Sequence, residues 1–314
     1  MKQIPIQTLQ THSHAQMSTP THVHEWFPAM PARCIVVIAH GMGEHGGRYE
    51  ELAQHLTDKG YAIYAPDHRG HGRTAGTKDK FGHFADHNGW NLVVEDLLAV
   101  IMKVNKEYPH LPIILLGHSM GSLIARRFIQ LHGNMLQGVI LSGTSGDPGI
   151  MGSIGKLIAR WEIKKSGLTT HSPFLTKLLF GGFNKNFHPY RTSYDWLTRD
   201  PLEVDKYLHD EWTGTTFSSG FFLDLITGVS ELNKPKQLRR TPSQLPILIF
   251  SGEQDPVSGF TRGVTQTYNR FRKIGIKDIT MKIYKDARHE TIHELNRDEV
   301  FADIASWIQA RIQK

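Results

Sequence analysis

The run Gly117-His118-Ser119-Met120-Gly121 sets a serine between two glycines, each two residues away. It follows Ile113–Leu116, an apolar stretch of buried-strand length, and precedes Ser122–Gln130, which reads as helix. Between a strand and a helix such a turn is so tight that both glycines are required, and it holds the serine oxygen exposed above a sheet. The helix start behind it adds N–H groups and partial positive charge where an oxyanion would develop. Ser119 is therefore the candidate nucleophile. A serine hydroxyl reacts only when a base takes its proton, and the base needs an orienting carboxylate. Two later loops carry these types: Gly252-Glu253-Gln254-Asp255-Pro256-Val257 and Lys285-Asp286-Ala287-Arg288-His289-Glu290. Asp255 and His289 are the first choices, with His293 a rival base and Glu253 and Asp286 rival acids. A second oxyanion donor is expected in His40-Gly41-Met42-Gly43-Glu44-His45, whose glycines let backbone approach a ligand closely. The backbone N–H groups of Met42 and Met120 would form the hole.

The elements that must position these groups alternate in type. Candidate strands are Cys34–Ala39, Tyr61–Ala65, Ile113–Leu116, Val139–Leu141, Leu245–Ser251 and Ile279–Tyr284. Candidate helices lie near Tyr49–Lys59, Asn91–Glu107, Met120–His132, Thr261–Ile274 and Asp298–Ile312. Such alternation implies an α/β fold with a mostly parallel sheet covered by helices on both faces. Residues 1 to about 33 carry weak strand signals, Ile4, Ile6 and Leu9 and then Val23, Trp26 and Phe27, which suggest a short antiparallel hairpin.

The alternation stops between residues 145 and 244. That stretch holds 13 of the 30 aromatics and reads as a mainly helical insertion, ending in a polar, proline-containing linker, Asn233–Ser243. The chain thus divides into 1–144, 145–244 and 245–314. In the first part of the insertion Ile150, Ile154, Leu157, Ile158 and Trp161 follow helical spacing, with Lys156, Arg160 and Lys164 on another face. Packing of the stripe onto the core is the expectation; the alternative is a lip resting on an anionic lipid surface.

Composition excludes several classes. A single cysteine, Cys34, allows no intramolecular disulfide, zinc finger or cysteine-ligated cluster, and it opens a buried strand. The 36 basic and 30 acidic residues leave a net charge of +6 that is not gathered in one place, so a nucleic-acid partner is not expected. No run approaches the roughly 18 apolar residues of a membrane span, and the start lacks a signal-peptide layout, so a cytoplasmic location is expected, with peripheral membrane contact the variant of it. His12/His14 and His22/His24 have the spacing that puts two ligands on one strand face, but no third ligand is suggested and neither metal nor cofactor is expected.

Together with Gly117–Gly121, Gly252–Val257 and Ala287–Glu290, the runs His40–Tyr49 and Asp67-His68-Arg69-Gly70-His71-Gly72-Arg73 resemble the monoacylglycerol lipase and lysophospholipase branch of the α/β-hydrolases, with a hydrolase domain of the serine aminopeptidase S33 type. The order Ser119, Asp255, His289 is that fold's triad order. The resemblance covers residues 34 to about 312 and implies that the insertion is a helical cap. It also implies that Asp67, Arg69, His71 and Gly72 form a loop held by its own hydrogen bonds, and that the substrates are fatty-acyl esters such as monoacylglycerols or lysophospholipids. Thr74 stands where the family usually has serine. Alternatives are an esterase for small soluble esters, an aminopeptidase-like hydrolase anchoring an amine with cap carboxylates, and a non-catalytic binding member of the fold.

Overall fold

The computed structural model describes residues 20–214 and 216–312. Among them are seven strands: β1 (Val23–Trp26), β2 (Cys34–Ala39), β3 (Tyr61–Pro66), β4 (Ile113–His118), β5 (Gly138–Ser142), β6 (Ile247–Gly252) and β7 (Ile279–Tyr284). They form one sheet in the order β1-β3-β2-β4-β5-β6-β7, parallel throughout except for β1 against β3. The helices are α1 (Glu50–Asp58), α2 (Gly89–Glu107), α3 (Met120–His132), α4 (Gly149–Ser166), α5 (Pro173–Phe180), α6 (Pro201–His209), α7 (Ser219–Leu232), α8 (Pro235–Leu238), α9 (Arg262–Lys273) and α10 (Arg297–Ile312).

Strand β2 is apolar at every position because both of its faces are covered. Cys34, Val36 and Ile38 pack with Leu52 and Leu56 of α1 and with Val300, Ile304 and Ile308 of α10. Ile35, Val37 and Ala39 point the other way, toward residues of α2, α3 and α7. Such two-sided burial produces continuous rather than alternating hydrophobic runs. Burial pushes the Cys34 thiol up to about 12, so it behaves as a small core residue.

The described partner of β1 is β3, with Val23 opposite Pro66 and Trp26 opposite Ile63. This pairing covers the backbone groups that β3 would otherwise present at the sheet edge. Ile4, Ile6 and Leu9, the first half of the expected hairpin, lie outside the described residues.

Helices α4 to α8 follow one another between β5 and β6. The run Asn233–Ser243 is not a plain linker: it contains α8 and buries Leu238. The expectation for α4 is also corrected. Ile150, Ile154, Leu157 and Trp161 are exposed, whereas the buried positions are Gly152, Ala159 and Glu162. The cause is close helix packing: a side chain at Gly152 would press on Ser230, and one at Gly155 on Ile226, both of α7. Small residues bring the two helices together; of the apolar stripe Ile158 alone packs against the core, while Ile150, Leu157 and Trp161 turn away from it.

Candidate active site

The turn after β4 is strained as the motif demands. Ser119 has φ 52° and ψ −118°, outside the regions open to most L-residues. A Cβ on Gly117 would collide with the Gly121 carbonyl, and one on Gly121 with the Ala39 carbonyl of β2. The Ser119 N–H donates to the Ser142 carbonyl of β5 at 2.9 Å, which anchors the turn across the sheet.

Asp255 follows β6, and His289 follows β7. Both are buried, and the structure brings them to Ser119 in one line. His289 Nδ1 lies 2.9 Å from Asp255 Oδ1, and His289 Nε2 lies 2.9 Å from Ser119 Oγ. The partners assign the tautomer: Nδ1–H donates to the carboxylate, leaving Nε2 to accept the serine proton. Asp255 is held further by the Ser251 hydroxyl on Oδ2 and the Val257 N–H on Oδ1, each at 2.8 Å. Burial opposes ionisation of Asp255, but His289 and these donors overcome it and keep the carboxyl below its usual range. Burial also opposes a charged His289, and the Asp255 carboxylate overrides it, raising the imidazole above its ordinary value.

Ser119, His289, Met42 and Met120 line one cavity of about 860 Å³. Its wall is largely apolar, with Leu123 of α3, Ile158 of α4, Leu175 of α5 and Phe222, Leu225 and Val229 of α7. Met151, Ile154, Leu178 and Leu179, exposed on α4 and α5, also line it. Met120 opens α3, where an N–H has no partner within the helix. The space can accept an acyl chain and an oxyanion beside one serine.

The rival residues lie elsewhere. Glu253 is exposed and accepts the N–H of exposed Asp286. His293 closes a short 3-10 helix, Thr291–His293, and contacts Glu290 and Arg48 rather than Ser119. Two contributions escaped the sequence reading. Trp196, from the insertion, has its ring 5.3 Å from that of His289, and Arg48 forms a buried ion pair with Glu290. No local pattern announces the first; the second was visible only as a charge in a glycine turn.

His22 and His24 do acquire a third group, which corrects the expectation for that pair. Ligand atoms of His22, His24 and Asp67 lie within 4.8 Å of one another. The carboxylate is already engaged, however, by the Gly46 and Arg73 N–H groups at 2.8 Å each and by His24 Nε2 at 3.2 Å. It holds two turns together. Arg69 forms a two-pronged pair with Asp96, and the Thr74 hydroxyl accepts the His22 N–H, a task that serine or threonine can perform. His12 and His14 lie outside the described residues.

Four buried histidines near the site carry a pH consequence. Burial drives His68 and His118 down to about 3 and His71 to about 4, and it holds His40 well below its ordinary range. His40 shows why: Nδ1–H donates to the Gly41 carbonyl and Nε2 accepts the His68 N–H, so an added proton displaces a donor. The Nε2 atoms of His68 and His71 are buried without a partner among the described residues. Above pH 6.5 these groups are neutral folded or unfolded. Below it the unfolded chain gains protons that the folded chain refuses, so stability falls with falling pH by up to about 1.4 kcal/mol per unit for each histidine. Urea unfolding at pH 7, 6 and 5 should show a loss of several kcal/mol; a flat profile would contradict it.

A family model described as serine aminopeptidase, S33, matches residues 30–296. The monoacylglycerol lipase of Mycolicibacterium smegmatis is 28% identical over 311 residues, covering 97% of this chain and 99% of that protein. The monoglyceride lipase of Homo sapiens is 29% identical over 291 residues, covering 91% and 86%. Among solved structures, a highly thermostable carboxyl esterase from Bacillus coagulans in complex with glycerol is similar at TM-score 0.90 and 28% identity, over 98% of this chain and 99% of that one. With its mostly parallel sheet, its strand-to-helix serine turn and a family match across most of its length, the chain belongs to the serine aminopeptidase S33 family of the α/β-hydrolases.

Proposed function

We propose that the protein is a carboxylic ester hydrolase acting through an acyl-enzyme, with monoacylglycerols or lysophospholipids as substrates. The observation that carries this reading is the line Asp255–His289–Ser119 opening onto an apolar cavity. Ser119 Oγ attacks the acyl carbon while its proton passes to His289 Nε2. The bond to the alcohol oxygen then breaks, and Nε2–H protonates the leaving alcohol. A water that loses its proton to Nε2 attacks the acyl-serine, and the acid departs as Ser119 recovers its proton. Asp255 keeps the imidazole oriented and supports its charge, and the N–H groups of Met42 and Met120 stabilise each oxyanion. The stretch 145–244 serves as the cap, between core segments 1–144 and 245–314.

The relatives named as monoglyceride lipases support the acyl-glycerol class. An aminopeptidase reading fits less well. Among the described residues lining the cavity the carboxylates are Glu44 and Glu290, and Arg48 already pairs with both, leaving neither free for a substrate ammonium. The test is a series of p-nitrophenyl esters from acetyl to palmitoyl, beside a monoacylglycerol, lysophosphatidylcholine and an aminoacyl anilide. Turnover of the monoacylglycerol and efficiency rising beyond the shortest esters are expected. A maximum at acetyl, or preference for the anilide, would overturn the substrate assignment.

The proposal extends to a lipid surface. Ile150, Leu157, Trp161, Phe174 and Leu178 are exposed on α4 and α5, with Arg160, Lys164 and Lys177 exposed beside them. An apolar face rimmed by cations suits peripheral binding to anionic lipid by a protein of the cytoplasm. Among the described residues no helix is long and apolar enough to cross a membrane. Flotation should recover more protein with anionic than with neutral vesicles, and salt should reduce the difference; equal, salt-insensitive recovery would refute it.

A further inference from the structure

We propose that Arg48 is a positioning residue for this reaction, clamping the turn that carries Met42 to the loop that carries His289. The inference rests on the hydrolase reading above. Burying a charge is costly unless it is paired and hydrogen-bonded, and here three charged side chains are buried together. Exposure of the Arg48, Glu44 and Glu290 side chains is 8%, 3% and 4%. The guanidinium binds Glu290 with two prongs, at 2.7 and 2.8 Å, and its Nη1 also reaches Glu44 Oε2 at 2.8 Å.

Each carboxylate belongs to one half of the site. Glu290 directly follows His289, and the His293 Nε2–H returns a hydrogen bond to the Arg48 carbonyl at 3.1 Å. Glu44 Oε1 accepts the N–H of Gly41, the residue before Met42, together with the Tyr49 hydroxyl. Tyr207 of α6 closes the arrangement from the insertion. Its ring lies 4.9 Å from the guanidinium carbon, and its hydroxyl donates to the Gly43 carbonyl at 3.0 Å. One cation therefore fixes the distance between the oxyanion turn and the base, and the surplus negative charge of the cluster favours a protonated His289.

The isosteric change Glu44→Gln tests this without opening a cavity. An amide has one carbonyl oxygen, so its NH₂ must face either Arg48 or the Gly41 and Tyr49 donors, whichever way it turns. The expected result is a loss of about 100-fold in kcat, the cost of misplacing a reacting group by about 1 Å. KM should stay within about threefold of wild type, and the acid limb of kcat/KM should move to lower pH. Arg48→Met should lose as much, and Arg48→Lys should recover part of it, because an ammonium keeps the charge but not the two-pronged grip. Should Arg48→Met fail to fold, Glu44→Gln and Tyr207→Phe decide. Folded Glu44→Gln with kcat within about threefold of wild type, while Ser119→Ala is inactive, would overturn the clamp alone. Activity persisting in Ser119→Ala would overturn the underlying hydrolase reading instead.

Discussion

Replacing Ser119 with alanine is expected to lower ester turnover by about 10⁴- to 10⁶-fold while the fold stays intact. The separation of the two effects follows from the turn. The side chain of Ser119 bonds only to His289 among the described residues, whereas the turn is held by backbone: its N–H donates to Ser142, and its carbonyl accepts from Ser122. Alanine at φ 52° meets the same backbone strain as serine, so no new conformational cost arises. The Met42 and Met120 N–H groups would remain, which is why some rate above the uncatalysed reaction is expected to survive. Turnover of a monoacylglycerol alongside the thermal midpoint checks both halves. Wild-type-like activity would refute the mechanism, and collapse of the fold would refute the account of the turn.

The second large effect is that of Asp255→Asn, and the surroundings of the carboxylate define its form. Oδ1 accepts the Val257 N–H as well as His289, while Oδ2 faces the Ser251 hydroxyl, which can rotate to accept from an amide. An asparagine therefore keeps its oxygen toward His289, and Nε2 remains free to take the serine proton. What disappears is the charge. At an effective dielectric of about 20, a unit charge about 4 Å away is worth about 4 kcal/mol, so the plateau of kcat/KM should fall by about 10³-fold. Because Asp255 raises His289, the acid limb of the profile should move to lower pH in the variant. A pH–rate profile reads both quantities, and an unchanged plateau would contradict the assigned role.

The sequence was most informative where backbone geometry dictates residue type. The glycines at 117 and 121 follow from collisions that any side chain would cause, and the apolar runs of β2 and β4 follow from burial on both faces. Periodicity also marked α4 as amphipathic, yet it could not say which face the protein covers; Gly152 and Gly155 decided that by admitting α7. Long-range pairing was the least legible. Arg48 meets Glu290 across 242 positions, and Asp67 completes the histidine pair from a loop 43 residues beyond His24. Nothing local in either partner encodes such a meeting, because it depends on how the sheet brings separate loops to its ends.

Covalent capture shows whether Ser119 is the nucleophile. A long-chain alkyl fluorophosphonate should react once per chain, forming a phosphorus–oxygen bond to Ser119 Oγ with loss of fluoride as His289 takes the proton. Peptide mass analysis is expected to find the adduct on the segment containing Ser119, with activity lost in proportion to labelling. Capture at another residue, or labelling of Ser119→Ala at the wild-type rate, would exclude Ser119 as the nucleophile.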